Sequence, residues 1–145
     1  MNKKFEIIDH TADIGIKVKG RTIKEIFENS ALGMFSLLTD IDRIKPEKKF
    51  KVSVKGIDTE SLLVNWLNEL LYLFTTKKVL LSKFNIKELV LGPVGKFNLT
   101  SYVYGQKIDF KKNPVSTEIK SATYHNLKIE KSATGEYTTI IIFDV

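Results

Sequence analysis

Residues 136–145 read "EYTTIIIFDV", and the fold turns on where that segment lies. β-branched and aromatic residues fill it, and the turn signal "ATGE" (133–136) precedes it, so it reads as a strand. Its run of four apolar residues, "IIIF" (140–143), suits a central strand covered on both faces. Near the other end, "IGIKVKG" (14–20) alternates Ile14, Ile16 and Val18 against Gly15, Lys17 and Lys19, the pattern of a half-buried strand. If the last strand is central, its end can lie beside the start of this early one. Asp144 would then meet Asp13, with the backbone carbonyl or free carboxylate of Val145 as a third oxygen.

Working outward, "KFEIIDH" (4–10) is a short strand, and "HTAD" (10–13) lies between two extended runs. Thr22 to about Leu38 reads as a helix, because Ile23, Ile26, Phe27, Ala31, Met34 and Leu38 recur at helical spacing. Thr22 and Glu25 match a capping box. Pro46, in "TDIDRIKPE" (39–47), forbids any continuation. "KKFKVSVKG" (48–56) alternates Phe50, Val52 and Val54 inward against Lys49, Lys51, Ser53 and Lys55 outward. That lysine row could track a phosphate backbone, but the guard of an edge strand against aggregation accounts for it without further assumption.

Asp58 caps a second helix, Thr59 to Thr75, with a broad stripe of Leu62, Leu63, Trp66, Leu67, Leu70, Leu71 and Phe74. Trp66 within that stripe reads as a core anchor rather than a base-stacking platform. "SKFNIKELVL" (82–91), "KFNLTSYVYG" (96–105) and "TEIKSATYHNLKIE" (117–130) read as strands, with "GPVG" (92–95) as a turn. In the third of these, Ile119, Ser121, Thr123, His125, Leu127 and Ile129 are expected inward. Glu118, Lys120, Ala122, Tyr124, Asn126 and Lys128 are expected outward. The β-β-α-β-α-β-β-β-β order argues for an α+β fold, two helices packed on a largely antiparallel sheet, with residues 1–145 as one domain.

Composition narrows the function. The 145 residues are 43% hydrophobic and 28% charged, which suits a globular chain with a sizeable core. Cysteine is absent, which excludes disulfides, thiolate ligands and a thiol nucleophile. No apolar run approaches the ~20 residues that cross a bilayer, and the amino terminus is too polar for a signal peptide. A cytoplasmic protein is expected. The net charge of +6 favours anionic partners. Only Arg21 and Arg43 among the 23 basic residues are arginine, a balance that fits diffuse phosphate attraction better than base readout. A lysine excess is also a habit of thermophile proteins and locates no site.

No phosphate-binding glycine loop or nucleophile elbow is present. "GPVGK" (92–96) opens a strand, so it reads as a hairpin turn. Two histidines far apart in the sequence and no cysteine argue against zinc. His125 is expected as a satisfied core residue. The acids remain: Asp13 and Asp144 supply hard oxygens suited to calcium, magnesium or manganese. On spacing alone the ordinary alternatives stand, a turn aspartate bonded to its own backbone and a solvated terminal aspartate.

"DHTADIGI" (9–16), "LLVNWLNELLYLF" (62–74), "TEIKSATYH" (117–125) and the ending "FDV" (143–145) together resemble the archease family, in order and over essentially the whole chain. The resemblance implies a small accessory protein of tRNA splicing and RNA repair, not an enzyme. Archeases activate an RtcB-type RNA ligase, promoting guanylylation of the ligase and repeated turnover, with tRNA reached through the ligase. An older proposal makes them chaperones of a tRNA cytosine methyltransferase. The resemblance also implies a divalent metal, calcium in the first instance, on Asp13, Asp144 and the backbone of Val145. It implies an activating lysine, matched by Lys120 of "TEIK", with Lys107 of "GQKID" (105–109) as the alternative. Ser121 and Gln106 depart from the family habit of alanine and glutamate. Asp9 and His10 are expected to fix the loop by local hydrogen bonds.

Overall fold

Ile14 pairs with Phe143 and Gly20 with Tyr137, so two segments from opposite ends of the chain run antiparallel. The computed structural model describes residues 3–9, 13–109, 111–112, 114–115 and 117–145, with Asp9 described in its backbone only. In chain order the elements are β1 (Phe5–Asp9), β2 (Ile14–Gly20), α1 (Ile23–Leu38), a short 3-10 helix (Ile41–Arg43), β3 (Lys48–Gly56), α2 (Thr59–Lys77), β4 (Val79–Leu91), β5 (Phe97–Lys107), β6 (Ser121–Ala122), β7 (Glu130–Lys131) and β8 (Tyr137–Asp144).

The fold is α+β, and every strand pairing among the described residues is antiparallel. The strands divide between two sheets. One has the order β1-β2-β8-β6, with β7 also on β8; the other has the order β3-β5-β4. Both helices lie against these sheets, and one apolar cluster joins all the layers. Ile16, Val18, Ile141 and Phe143 come from the first sheet, Val52, Leu99 and Val103 from the second, and Phe27, Phe35, Trp66 and Leu70 from the helices. No helix among the described residues is long and apolar enough to cross a membrane.

Local chemistry sets the helix ends. Thr22 accepts the Glu25 N–H at 3.1 Å. The Glu25 carboxylate takes the N–H of Arg21, at 3.5 Å, so the box expected on Thr22 closes one residue early. On α2, Asp58 accepts the Ser61 N–H at 2.7 Å, and the Ser61 hydroxyl returns to the Asp58 N–H at 3.1 Å. That helix ends at Lys78, whose φ of 54° turns the chain straight into β4. Trp66 is wholly buried, and its Nε1–H donates to the Phe27 carbonyl at 3.0 Å. It ties α2 to α1 and is the core anchor expected from its position in the stripe.

Side-chain amides on the helices do comparable work at the sheets. Asn29 donates to the Lys19 carbonyl of β2 at 2.7 Å, and Asn65 to the Lys55 carbonyl of β3 at 2.7 Å. Glu28 accepts the Ile86 N–H at 3.0 Å, beside a register shift in β4. Each bond supplies a strand backbone group with a partner that the ladder does not provide.

Three expectations need correction. Residues 117–130 are not one strand: pairing covers only Ser121–Ala122 and Glu130–Lys131. Asn126 adopts φ 52°, and Leu127 N–H bonds back to the Tyr124 carbonyl, so a turn interrupts the alternation. Ala122, paired with the buried Phe143, is itself buried, and His125 in the turn is exposed, the reverse of the expected faces. Asparagine tolerates the left-handed region that such a turn needs, which a strand-propensity reading does not register. The last strand is interior to its sheet but not covered throughout. Ile142 is buried over Gly15, whereas Ile140 is 44% exposed. Finally, β4 starts at Val79, three residues ahead of the expected Ser82, because the turn at Lys78 leaves no loop.

Gly105 pairs with Leu81 in the β4–β5 ladder. A Cβ there would strike the Leu80 carbonyl oxygen, with the Leu81 Cα at 2.8 Å. Since backbone in a ladder has little room to yield, Gly105→Ala is expected to destabilise the fold by about 2–3 kcal/mol, measured as a lowered denaturant midpoint at unchanged m-value.

Candidate functional site

The β2–β8 ladder fixes the candidate site. Its last registered pair is Ile14 with Phe143. One step further along the same register sets Asp13 opposite Asp144, at the shared end of neighbouring strands. Alternation assigns Asp144 to the outer face with Ile140 and Ile142, since Phe143, Ile141 and Thr139 are buried on the inner one. Asp144 is exposed and Asp13 half-buried. Val145 follows Asp144 and is 38% exposed.

The other flank of β8 adds Lys120. Ser121 pairs with Asp144 and Ala122 with Phe143. The Lys120 N–H donates to the Asp144 carbonyl at 2.8 Å. Thr123 doubles the attachment, its N–H and its hydroxyl both donating to the Ile142 carbonyl, at 3.0 and 2.8 Å. The Lys120 residue itself is exposed, as its place in the sequence suggested. Lys107 ends β5 in the other sheet, where it pairs with Val79. Of the two candidate lysines, Lys120 is therefore the one held beside Asp144.

A residue absent from the sequence reading holds this flank in place. Asn68 of α2 accepts the Ala122 N–H at 2.8 Å and donates to the Ala122 carbonyl at 3.3 Å. Its amide thus acts as a neighbouring strand would, and fixes the segment carrying Lys120. The signal was present in "LLVNWLNELLYLF", where a polar residue interrupts the apolar stripe next to Leu67. Helical spacing shows that Asn68 borders the core but not which backbone it meets.

Of the remaining expectations, His10 lies outside the described residues, as do Thr11 and Ala12, and so does the side chain of Asp9. The Asp9 backbone pairs with Ile14, which brings β1 to the same sheet end. His125 stands in the exposed turn after β6. Its N–H donates to the Thr123 hydroxyl at 3.3 Å, and its Nε2 lies 3.4 Å from the Asn126 amide.

The donor chemistry fits a hard divalent cation. Asp13, Asp144 and the backbone of Val145 offer only oxygen, the ligand type that calcium, magnesium and manganese take. Among the described residues no cluster of three or more His, Cys, Asp or Glu side chains forms a metal cage. The two carboxylates would thus need backbone oxygens and water to complete a coordination shell, which calcium tolerates well.

With this geometry in view, comparison with known proteins identifies the class. The description "Archease protein family (MTH1598/TM1083)" matches residues 5–145. Protein archease of Methanosarcina barkeri is 39% identical over 140 residues, spanning 97% of this chain and 95% of the relative. A protein archease-like of Drosophila melanogaster is 34% identical over 143 residues, spanning 98% and 90%. The solution structure of Methanobacterium thermoautotrophicum protein 1598 superposes with a TM-score of 0.83 at 32% identity, spanning 98% of this chain and 99% of that one. The chain belongs to the archease family.

Replacing Asn68 with alanine strips both partners from the Ala122 backbone. Asn68→Ala is expected to cost about 1–3 kcal/mol of stability. It should also raise hydrogen exchange at the Ala122 amide far more than at Ile16 or Val18 in the neighbouring ladder.

Proposed function

We propose that this archease is an accessory protein that activates an RtcB-type RNA ligase, presenting the β2–β8 end to the ligase active site. The observation that supports this reading is the β2–β8 ladder, whose last pair, Ile14 with Phe143, makes Asp13 and Asp144 the next residues of the two segments, with the Lys120 N–H bonded to the Asp144 carbonyl. Asp13, Asp144 and the Val145 backbone would hold a divalent cation, calcium in the first instance. When bound, the cation supplies concentrated positive charge to which phosphate oxygens are attracted.

The chain's own residues do the rest. Lys120 is exposed, its own N–H is bonded to the Asp144 carbonyl of β8, and Asn68 holds the segment two residues on, at Ala122. The Lys120 ammonium can meet the triphosphate of a guanylate donor without a large loss of backbone freedom. Ser121, paired with Asp144, keeps a small side chain beside the carboxylates. A tip built in this way orders phosphate groups and leaves the covalent step to the ligase's own residues.

Multiple-turnover ligation by a cognate ligase tests the proposal. Asp13→Ala, Asp144→Ala and Lys120→Ala should each reduce stimulation by about tenfold or more while leaving the fold intact. Wild-type stimulation by all three would refute it. Calcium titration of the two aspartate variants should show affinity lowered by about tenfold or more, because each removes a charged ligand; unchanged affinity would remove Asp13 and Asp144 as the ligands.

A second reading, an RNA-binding chaperone for a tRNA cytosine methyltransferase, draws on the +6 charge and on the concentration of cations around Lys45, Lys48 and Lys107. It requires tRNA binding in the absence of ligase, weakening steeply as salt is raised. Binding that withstands high salt, or no binding at low salt, would count against it.

A further inference from the structure

The sheet β3-β5-β4 has one face against the helices and one in solvent. Leu99, Ser101 and Val103 of β5 are buried on the first. Alternation sends Asn98, Thr100, Tyr102 and Tyr104 to the second. There the register lays Lys49 and Lys51 of β3 opposite Tyr104 and Tyr102. Lys83 and Asn85 of β4 flank the same two tyrosines on the other side. Both tyrosines are only half-buried. Lys49 Nζ lies 4.2 Å from the Tyr102 ring centroid, and Lys83 Nζ 5.1 Å from that of Tyr104. The carboxylate registered on this face is Glu88, opposite Thr100 and beyond Tyr102 from the Tyr104 end.

At the Tyr104 end, β3 begins and β5 finishes beside a groove. Arg43, Lys45, Lys48, Lys107, Lys111 and Lys112 line it, with Glu47 and Asp109 as its carboxylates. The Gln106 side chain accepts the Lys45 N–H at 2.9 Å, which ties β5 to the segment after the 3-10 helix. Gln106, which alternation sets on the tyrosine face, also lines the groove, so the groove borders the end of that face.

We propose that this face binds a single-stranded polynucleotide, its bases stacked on Tyr102 and Tyr104 and its phosphates held by Lys49, Lys51 and Lys83, with the strand continuing into the groove. The proposal goes beyond ligase activation and does not depend on it. Two aromatic rings on adjacent outward positions of one strand lie ~7 Å apart along the chain. That is about twice the 3.4 Å rise of stacked bases, so an extended strand fits and a regular duplex does not. Aromatic platforms flanked by cations bind single strands with little sequence preference, since every base has a π-face. The lysine-rich composition agrees, because lysine neutralises phosphate without reading base edges. In the free protein Lys49 and Lys83 cover the rings. On binding, their ammonium groups exchange a ring face for a phosphate as the base takes their place. An edge guard accounts for the lysines of the two outer strands, β3 and β4, but not for two half-buried tyrosines side by side on the central strand.

Fluorescence anisotropy with short labelled oligoadenylate and oligouridylate, and a duplex RNA of equal length, tests this without any ligase. The single strands should bind, adenylate more tightly than uridylate because its stacking is stronger, and both should weaken with salt. Tyr102→Ala and Tyr104→Ala should each weaken single-strand binding by about tenfold, while Tyr102→Phe and Tyr104→Phe retain it. Lys49→Glu and Lys83→Glu should weaken binding and flatten the salt dependence. In the unaltered protein, the ring-proton resonances of both tyrosines should shift upfield when oligoadenylate is added, a readout that needs no variant to fold. Absence of single-strand binding at low salt overturns the proposal. So do alanine variants that fold and bind like the wild type, duplex bound as tightly as single strand, or ring resonances that do not move.

Discussion

The pairing of β2 with β8 is the constraint from which the rest of this structure follows. Seven registered pairs, from Ile14–Phe143 to Gly20–Tyr137, join segments near the two ends of the chain. A slip of one residue would turn Ile16, Val18, Ile141 and Phe143 out of the core. The buried apolar face therefore holds the register, and the register in turn places Asp13 across from Asp144. The adjacency of these two chain positions follows from core packing rather than from local loop chemistry.

The helices do more than cover the sheets. Asn29, Asn65 and Asn68 each extend an amide to a strand backbone, at β2, β3 and β6 respectively, and the Glu28 carboxylate accepts a backbone N–H of β4. Short strands gain most from such help. β6 has two residues, and without Asn68 one side of it would lack a hydrogen-bonding neighbour at Ala122. Because β6 borders β8, the same amide stabilises the flank that carries Lys120. The acidic end of the first sheet and the basic face of the second are thus separate surfaces on a shared core.

Much of this was legible in the chain, for reasons that can be named. β2 and β3 were read to the residue because each has one face buried and one in water, so alternation marks every position. The two helices were read from their caps and stripes, and Trp66 from its place in a stripe. The stretch 117–130 was misread because alternation there is accidental: a turn at Asn126 breaks it, and turns of that kind depend on what the flanking residues can pair with. Tyr102 and Tyr104 went unremarked because a tyrosine in a strand is ordinary, and their meaning lies in lysines brought from β3 and β4.

By itself the sequence determined the α+β class, the places of both helices, the extent of β2 and β3, the absence of cysteine chemistry and, through the motifs at 9–16, 62–74, 117–125 and 143–145, the archease resemblance. These depend on period, capping and residue identity, all of which act over a few neighbouring positions. Only the tertiary structure decided how the strands divide between two sheets, that Lys120 rather than Lys107 stands beside Asp144, that Asn68 braces β6, and that two tyrosines share a face with lysines from flanking strands. Those are matters of register between distant segments, which burial of the whole core selects and no local pattern encodes.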